Sequence, residues 1–138
     1  MPERPLPPYE EVEHTADLAL RVRGSSLQAL FANAARGMFQ FMGDAFSLDS
    51  ECFSVKLESP DAETLLVDWL NELIFLSEVH GRIFCAYNFV SISETQLHAQ
   101  IGGGLAERWR ERIKAATFHD LRIQREGDGY LVTIVFDV

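Results

Sequence analysis

The sequence predicts an α+β domain, in which two main α-helices pack on a mostly antiparallel β-sheet. Two segments carry apolar residues at helical spacing, and several others alternate apolar and polar residues as half-buried strands do. Their order is strand, helix, strand, helix and then several strands, which favours α+β. The 138 residues fit a single domain with its own core. Because the first eight residues hold four prolines, we expect an extended tail over residues 1–8 and the domain over residues 9–138.

The first helix is predicted to begin just after Gly24. Ser25 as N-cap and Gln28 three residues later form a capping box, and Gly43 is a natural stop. We expect the apolar stripe between these ends to face the core. The stripe consists of Leu27, Leu30, Phe31, Ala34, Ala35, Met38 and Met42.

The second helix is predicted to follow Pro60 and Asp61. Proline suits the first turn of a helix, and a negative charge suits the positive end of the helix dipole. His80 and Gly81 are expected to end this helix, which is again amphipathic. Its stripe consists of Leu66, Trp69, Leu70, Leu73 and Leu76.

The remaining segments are predicted to be strands and turns. The clearest pair flanks a hairpin turn over residues 126–129, and its second strand, residues 130–136, is apolar on both faces and should be central in its sheet. We expect the consecutive glycines 102–104 to form a flexible turn. Further strands are predicted over residues 17–23, 53–57, 82–93, 97–101 and 121–125.

The charge balance excludes one broad class of function. The chain has 12 basic and 21 acidic residues, a net charge of −9, whereas proteins that bind nucleic acids through phosphate contacts need a basic face. We therefore expect no strong direct binding of nucleic acid, although a cation site or a basic protein partner is permitted. No apolar run is long enough to span a bilayer and no secretory signal is visible, so we expect a cytoplasmic protein without membrane association.

The cysteines give little support to covalent or zinc chemistry. Cys52 and Cys85 are far apart and are expected to be free, buried and reduced. Two isolated cysteines and four scattered histidines lack zinc-ligand spacing. A nucleophilic pair of Cys85 with His119 has no supporting motif, and phosphate-loop, dinucleotide and hydrolase motifs are missing from the sequence.

Three places carry unusual polar residues. His14 and Asp17 lie just before a predicted strand, and Lys114 and His119 flank a run of small and apolar residues. Asp137 and Val138 end an apolar strand, so a side-chain carboxylate and the terminal carboxylate are adjacent and need a nearby positive charge. Oxygen ligands favour Ca²⁺ or Mg²⁺ over zinc. Taken singly, each place also fits a capped turn or a solvated strand edge.

These same places resemble the archease family. The matching segments are YEEVEHTAD at residues 9–17, GSSLQALF at 24–31, LVDWLNELIFL at 66–76, IKAATFHDL at 113–121 and VFDV at 135–138. They follow one another in order over almost the whole chain.

The resemblance implies a role as a protein partner of an RtcB-type RNA ligase. Archeases promote guanylylation and multiple turnover of this GTP-dependent enzyme, which joins RNA 2′,3′-cyclic phosphate or 3′-phosphate ends to 5′-hydroxyl ends in tRNA splicing. The family's divalent-cation site maps to Asp17, Asp137 and Val138, with calcium preferred to magnesium or manganese. The lysine implicated in ligase activation maps to Lys114, and His14 and His119 are expected to support the site.

Two alternatives to a non-enzymatic ligase activator stay open. One is a chaperone-like modulator of RNA-processing or tRNA-modifying enzymes, and the other is a metal-dependent phosphoester hydrolase acting through the same carboxylates. The arginine-rich segment 102–112, which carries Trp109, departs from the family pattern, and a plain exposed turn with a packing tryptophan is favoured over a base-stacking site. The sequence does not predict an oligomeric state.

Overall fold

The computed structural model describes residues 6–13 and 17–138. Because residues 1–5 lie outside this part, the division into a tail over residues 1–8 and a domain over residues 9–138 stays a prediction. The elements in chain order are β1 (Tyr9–Val12), β2 (Leu18–Gly24), α1 (Leu27–Met42), β3 (Gly43–Ala45), β4 (Cys52–Glu58), α2 (Ala62–His80), β5 (Arg82–Ile92), β6 (Gln96–Trp109), β7 (Ala115–Ala116), β8 (Gln124–Glu126) and β9 (Gly129–Asp137).

The first sheet is built around β9. Strand β2 pairs along one edge of β9, and β1 pairs with the outer edge of β2. The short strands β7 and β8 pair with the other edge of β9, at its end and its beginning respectively. The prediction that the last strand is central in its sheet is therefore confirmed.

The second sheet is built around β6. Strand β5 pairs along one edge of β6, while β4 and then β3 share the other edge. The pairings in both sheets are antiparallel. This confirms the predicted α+β class, with the strands divided between two sheets.

The glycines at 102–104 do not form a turn, and that prediction is wrong. Strand β6 runs straight through them, and all three are buried. A Cβ atom on Gly103 would lie 2.0 Å from the Ile83 carbonyl oxygen, and one on Gly104 would lie 2.6 Å from that of Ser47. Gly103 and Gly104 therefore let neighbouring backbone approach more closely than any larger residue permits.

Both helices end where the sequence predicts them to, and one begins a residue later. The N-cap of α1 is Ser26, whose Oγ accepts a hydrogen bond from the Ala29 N–H at 3.1 Å, rather than the predicted Ser25. At α2, the Asp61 carboxylate accepts from the Thr64 N–H at 2.7 Å. Gly81 ends α2 in the left-handed region with φ at 63°.

The core lies where the helices meet the sheets. Helix α1 contacts β2 and β5, and α2 contacts β4, β5 and β7. The two helices are also joined by the Trp69 indole N–H, which donates to the Phe31 carbonyl at 3.0 Å. The largest fully buried side chains include Trp69, Phe31, Phe84, Phe136, Leu20 and Leu30.

Two further expectations concern the cysteines and the membrane. Cys52 and Cys85 are free as expected but exposed, so the prediction of buried thiols is wrong. Cys52 is the first residue of β4, and Cys85 lies where the pairing of β5 with β6 is irregular. Within the described ranges, no helix combines the length and the apolar character needed to cross a bilayer.

Candidate functional site

Asp17 and Asp137 meet at one end of the first sheet. In the antiparallel pairing of β2 with β9, Leu18 lies opposite Phe136. Asp17 directly precedes Leu18 and Asp137 directly follows Phe136, so both aspartates lie next to this pair at the same end of the sheet. Asp17 is half-buried, whereas Asp137 is exposed.

Strand β7 brings Lys114 to the same end of the sheet. Ala115 lies opposite Asp137, and the Lys114 N–H donates to the Asp137 carbonyl at 2.8 Å. Asp137 is thus flanked by the start of β2 on one side and by the Lys114 segment on the other. The Lys114 side chain is exposed, and the fully buried Ile113 before it fixes the backbone in the core.

Thr117 and Asn71 hold β7 in place from its two sides. The Thr117 N–H and Oγ–H both donate to the Val135 carbonyl, at 3.0 and 2.8 Å. From α2, the Asn71 Oδ1 accepts from the Ala116 N–H at 2.8 Å, and the Asn71 Nδ2 donates to the Ala116 carbonyl at 3.3 Å. Sequence reasoning gave Asn71 no role. The sequence feature that could have indicated a role is the position of this polar side chain among the apolar residues Trp69, Leu70 and Leu73.

Of the two predicted histidines, the structure describes only His119. His119 lies in the loop after β7, where its ring Nε2 is 3.3 Å from the Asp120 carboxylate and its N–H donates to Thr117 Oγ1 at 3.3 Å. Its side chain is 59% exposed. His14 lies outside the described residues. The structure thus brings the backbones of Asp17, Asp137 and Lys114 to one end of the first sheet, and His119 lies in the loop that follows β7.

The donor set at this end of the sheet suits a hard cation. It offers the Asp17 and Asp137 carboxylates and a main-chain oxygen of Val138, all oxygen donors of the kind that Ca²⁺ and Mg²⁺ prefer. Within the described ranges, no three His, Cys, Asp or Glu side chains cluster to hold a metal ion, either at this end of the sheet or elsewhere. Carboxylates that come close together repel each other, so a bound positive charge would offset any such repulsion between Asp17 and Asp137.

The arginine-rich segment serves the fold. The Arg110 guanidinium donates hydrogen bonds to the Asp44 carboxylate and to the Gln40 and Gly43 carbonyls. It thereby supplies donors to backbone carbonyls at the C-terminal end of α1. The ion pair with Arg110 lowers the pKa of the Asp44 carboxyl below its usual range. Arg112 lies 3.9 Å from Glu78 on α2. This segment forms the end of β6 and the extended chain after it, so the expected exposed turn is absent. Trp109, which was expected to pack, is 51% exposed.

Comparison with known proteins gives a consistent result. Residues 9–138 match the model of the Archease protein family. Protein archease of Methanosarcina acetivorans is 34% identical over 139 residues, covering 94% of this chain and 95% of that protein. Protein archease of Thermococcus gammatolerans is 35% identical over 130 residues, covering 88% and 91%.

Solved structures agree in fold. The solution structure of protein 1598 from Methanobacterium thermoautotrophicum superposes with a TM-score of 0.74 at 27% identity, covering 95% of this chain and 99% of that one. The crystal structure of an archease, possible chaperone, from Thermotoga maritima gives a TM-score of 0.67 at 24% identity, with 100% of both chains covered, and supports the fold alone. From its sequence, and with a fold to match, this chain belongs to the archease family.

Proposed function

We propose that this protein is a non-enzymatic activator of a GTP-dependent RtcB-type RNA ligase. It would promote guanylylation of the ligase and multiple turnover in tRNA splicing and RNA repair. One observation carries the proposal: in a chain of the archease family, Asp17, Asp137 and Lys114 meet at one end of a sheet although they are distant in sequence.

Asp17, Asp137 and Val138 would hold a divalent cation, with calcium preferred to magnesium or manganese. When bound, the cation would supply positive charge that balances the carboxylates and fixes their orientation. His14 and His119 would support the site from its edge. In this proposal the cation is resident in the activator, and the bond-making chemistry belongs to the ligase.

Lys114 would provide the contact to the partner. Its ammonium group is exposed, while its backbone is held to Asp137 by a hydrogen bond. A compact positive charge of this kind suits an anionic group in a nucleotide pocket. The chain's net charge of −9 would steer it towards the basic surface that a ligase handling GTP and RNA needs. Docking would stabilise the ligase conformation in which its histidine attacks GTP.

The two lysines of the chain allow a direct test, because Lys56 lies on β4 in the other sheet. We expect Lys114→Ala to lower the stimulated rate of ligase guanylylation at least about tenfold, since a charge-assisted contact is typically worth about 1.5–3 kcal/mol. The matched variant Lys56→Ala should stimulate like the unmodified protein. Full stimulation by a folded Lys114→Ala protein would contradict the proposed role of this residue.

A chaperone-like modulator of RNA-processing or tRNA-modifying enzymes is the second candidate. Phe75 and Val79 lie one turn apart on α2 and are 57% and 58% exposed, which is typical of a protein-binding surface when such residues adjoin. This candidate predicts that the protein raises the yield of folded client enzyme while Lys114→Ala has no effect on that yield. Hydrolysis of a phosphoester by the purified protein without any ligase would instead indicate a metal-dependent hydrolase.

A further inference from the structure

We infer that Asn71 is a positioning residue for Lys114 and Asp137. Its side chain makes the two backbone hydrogen bonds that a neighbouring strand would make at this edge of the first sheet. This inference adds a residue to the site. It rests on the proposed function only in the experiment that measures ligase activation. The Asn71 carboxamide both accepts from the Ala116 N–H and donates to the Ala116 carbonyl. It therefore binds this peptide backbone as a neighbouring strand would.

The edge of the sheet at β7 needs such a partner. Strand β7 has two residues, ends the strand order of its sheet and lies beneath α2, which shields it from water. Ala116 is 5% exposed, and a buried peptide group without a partner is costly. A carboxamide is the side-chain group that carries a donor and an acceptor in one plane, which matches what Ala116 presents.

Helix α2 supplies a rigid base for this contact. Trp69, Leu70 and Leu73, which surround Asn71 in the sequence, are fully buried. The short side chain of Asn71 therefore starts from a backbone position that packing fixes, and few rotamers satisfy both hydrogen bonds.

The contact is linked to the site by a short path. Ala116 is two residues from Lys114, whose N–H donates to the Asp137 carbonyl. Ala115 lies between them, opposite Asp137. A shift of β7 away from α2 would therefore move the Lys114 backbone and loosen the pairing that holds Asp137 between β2 and β7.

Asn33 offers a matched control on the other helix. Its Nδ2 donates to the Arg23 carbonyl at 2.7 Å, a partly buried bond between α1 and β2. Arg23 lies near the end of β2 that is opposite to Asp17. Loss of this bond should lower the free energy of unfolding by about as much as loss of the Asn71 bonds, and should leave Lys114 and Asp137 in place.

The test compares Asn71→Leu, Asn71→Asp and Asn33→Leu under conditions where circular dichroism shows each protein folded. In Asn71→Leu, amide hydrogen exchange at Ala116 and Lys114 should be about two- to tenfold faster, because a hydrogen bond of ordinary net strength is lost. In Asn71→Asp the acceptor for the Ala116 N–H remains, so exchange at Ala116 should change little while the bond to the Ala116 carbonyl is lost. Asn33→Leu should leave exchange at both residues unchanged.

Ligase stimulation supplies the second readout. Asn71→Leu should lower the maximal stimulated rate, since Lys114 is misplaced in the bound complex, whereas Asn33→Leu should retain it. Unchanged exchange at Ala116 and Lys114 in Asn71→Leu would overturn the inference. If the unmodified protein fails to stimulate the ligase, the proposed function is wrong, and the exchange data still decide the role of Asn71.

Discussion

Gly103 illustrates how much a single position limits this fold. A Cβ atom there would lie 2.0 Å from the Ile83 carbonyl oxygen and 2.9 Å from the Phe84 Cα, both of them backbone atoms that cannot rotate aside. Its neighbour Gly102 is also buried in β6, yet a Cβ there would meet nothing nearer than the Glu51 carbonyl oxygen at 3.7 Å. Two adjacent glycines thus differ in whether they accept a methyl group.

We expect Gly103→Ala to lower the free energy of unfolding by about 1–3 kcal/mol or more, because β5 and β6 must move apart to admit the Cβ. Gly102→Ala should leave stability unchanged or raise it by about 0.5 kcal/mol, since alanine loses less backbone entropy than glycine on folding. Urea denaturation of the two variants measures both changes. Equal destabilisation by the two substitutions would contradict the close approach of the strands at Gly103.

At the scale of elements, α2 joins the site to the core, and its first turn depends on an ionisable cap. The backbone N–H of Thr64 donates to the Asp61 carboxylate, and this bond holds the pKa of Asp61 below its ordinary value of 3.8. A carboxyl with a lowered pKa in the folded state stabilises the protein above its unfolded pKa. That stabilisation is lost as the pH falls through the folded pKa.

Asp61→Ser tests this cap, since serine keeps an oxygen acceptor and removes the titrating charge. We expect the melting temperature of the unmodified protein to fall between about pH 5 and about pH 2. The fall should be smaller in Asp61→Ser. Asp128→Ser, which alters an exposed carboxyl in the turn between β8 and β9, serves as the control and should show the full fall. Identical pH profiles for all three proteins would contradict the role of the cap.

Elements with local signals were predictable from the sequence. Asp61 and Gly81 mark the ends of α2 through a side-chain hydrogen bond and a left-handed φ, which their own residue types favour. Two adjacent serines made the start of α1 ambiguous by one residue, and only the bond from the Ala29 N–H to Ser26 decides it. The strand predicted over residues 121–125 is shorter and later, at Gln124–Glu126, because the residues before it pair with no strand.

The contacts between distant segments were not predictable from residue patterns. The sequence indicated polar residues near Asp17, Lys114 and Asp137, but their meeting depends on the register of β2 and β7 with β9. The pairing of Asn71 with Ala116 depends in addition on how α2 crosses the sheet edge. Glycines in β6 had the composition of a turn, and only the neighbouring strands explain them.

For the whole molecule, a cation bound by Asp17 and Asp137 would raise the free energy of unfolding, because it would bind only the folded protein. A ligand that binds only the folded state stabilises it by about 2.7 kcal/mol at a hundred times its dissociation constant. For a chain of this size each kcal/mol raises the melting temperature by about 3 °C.

We therefore expect saturating Ca²⁺ to raise the melting temperature by roughly 5–10 °C and a chelator to reverse the rise. Asp17→Asn and Asp137→Asn should each lose most of this shift, because one ligand and one negative charge are removed. Asp128→Asn, at the opposite end of β9, should retain it. Equal calcium shifts in all variants would exclude a site at Asp17 and Asp137.

The pairing of β2 with β9 has a consequence for how the molecule assembles. These strands are more than 100 residues apart in the sequence, so the two aspartates become neighbours only when a loop of that length closes. Loop closure over such a span is entropically costly and slows folding. An ion bound by both carboxylates would cross-link the ends of β2 and β9 reversibly. Its release would allow these two strands to separate from this end of the sheet.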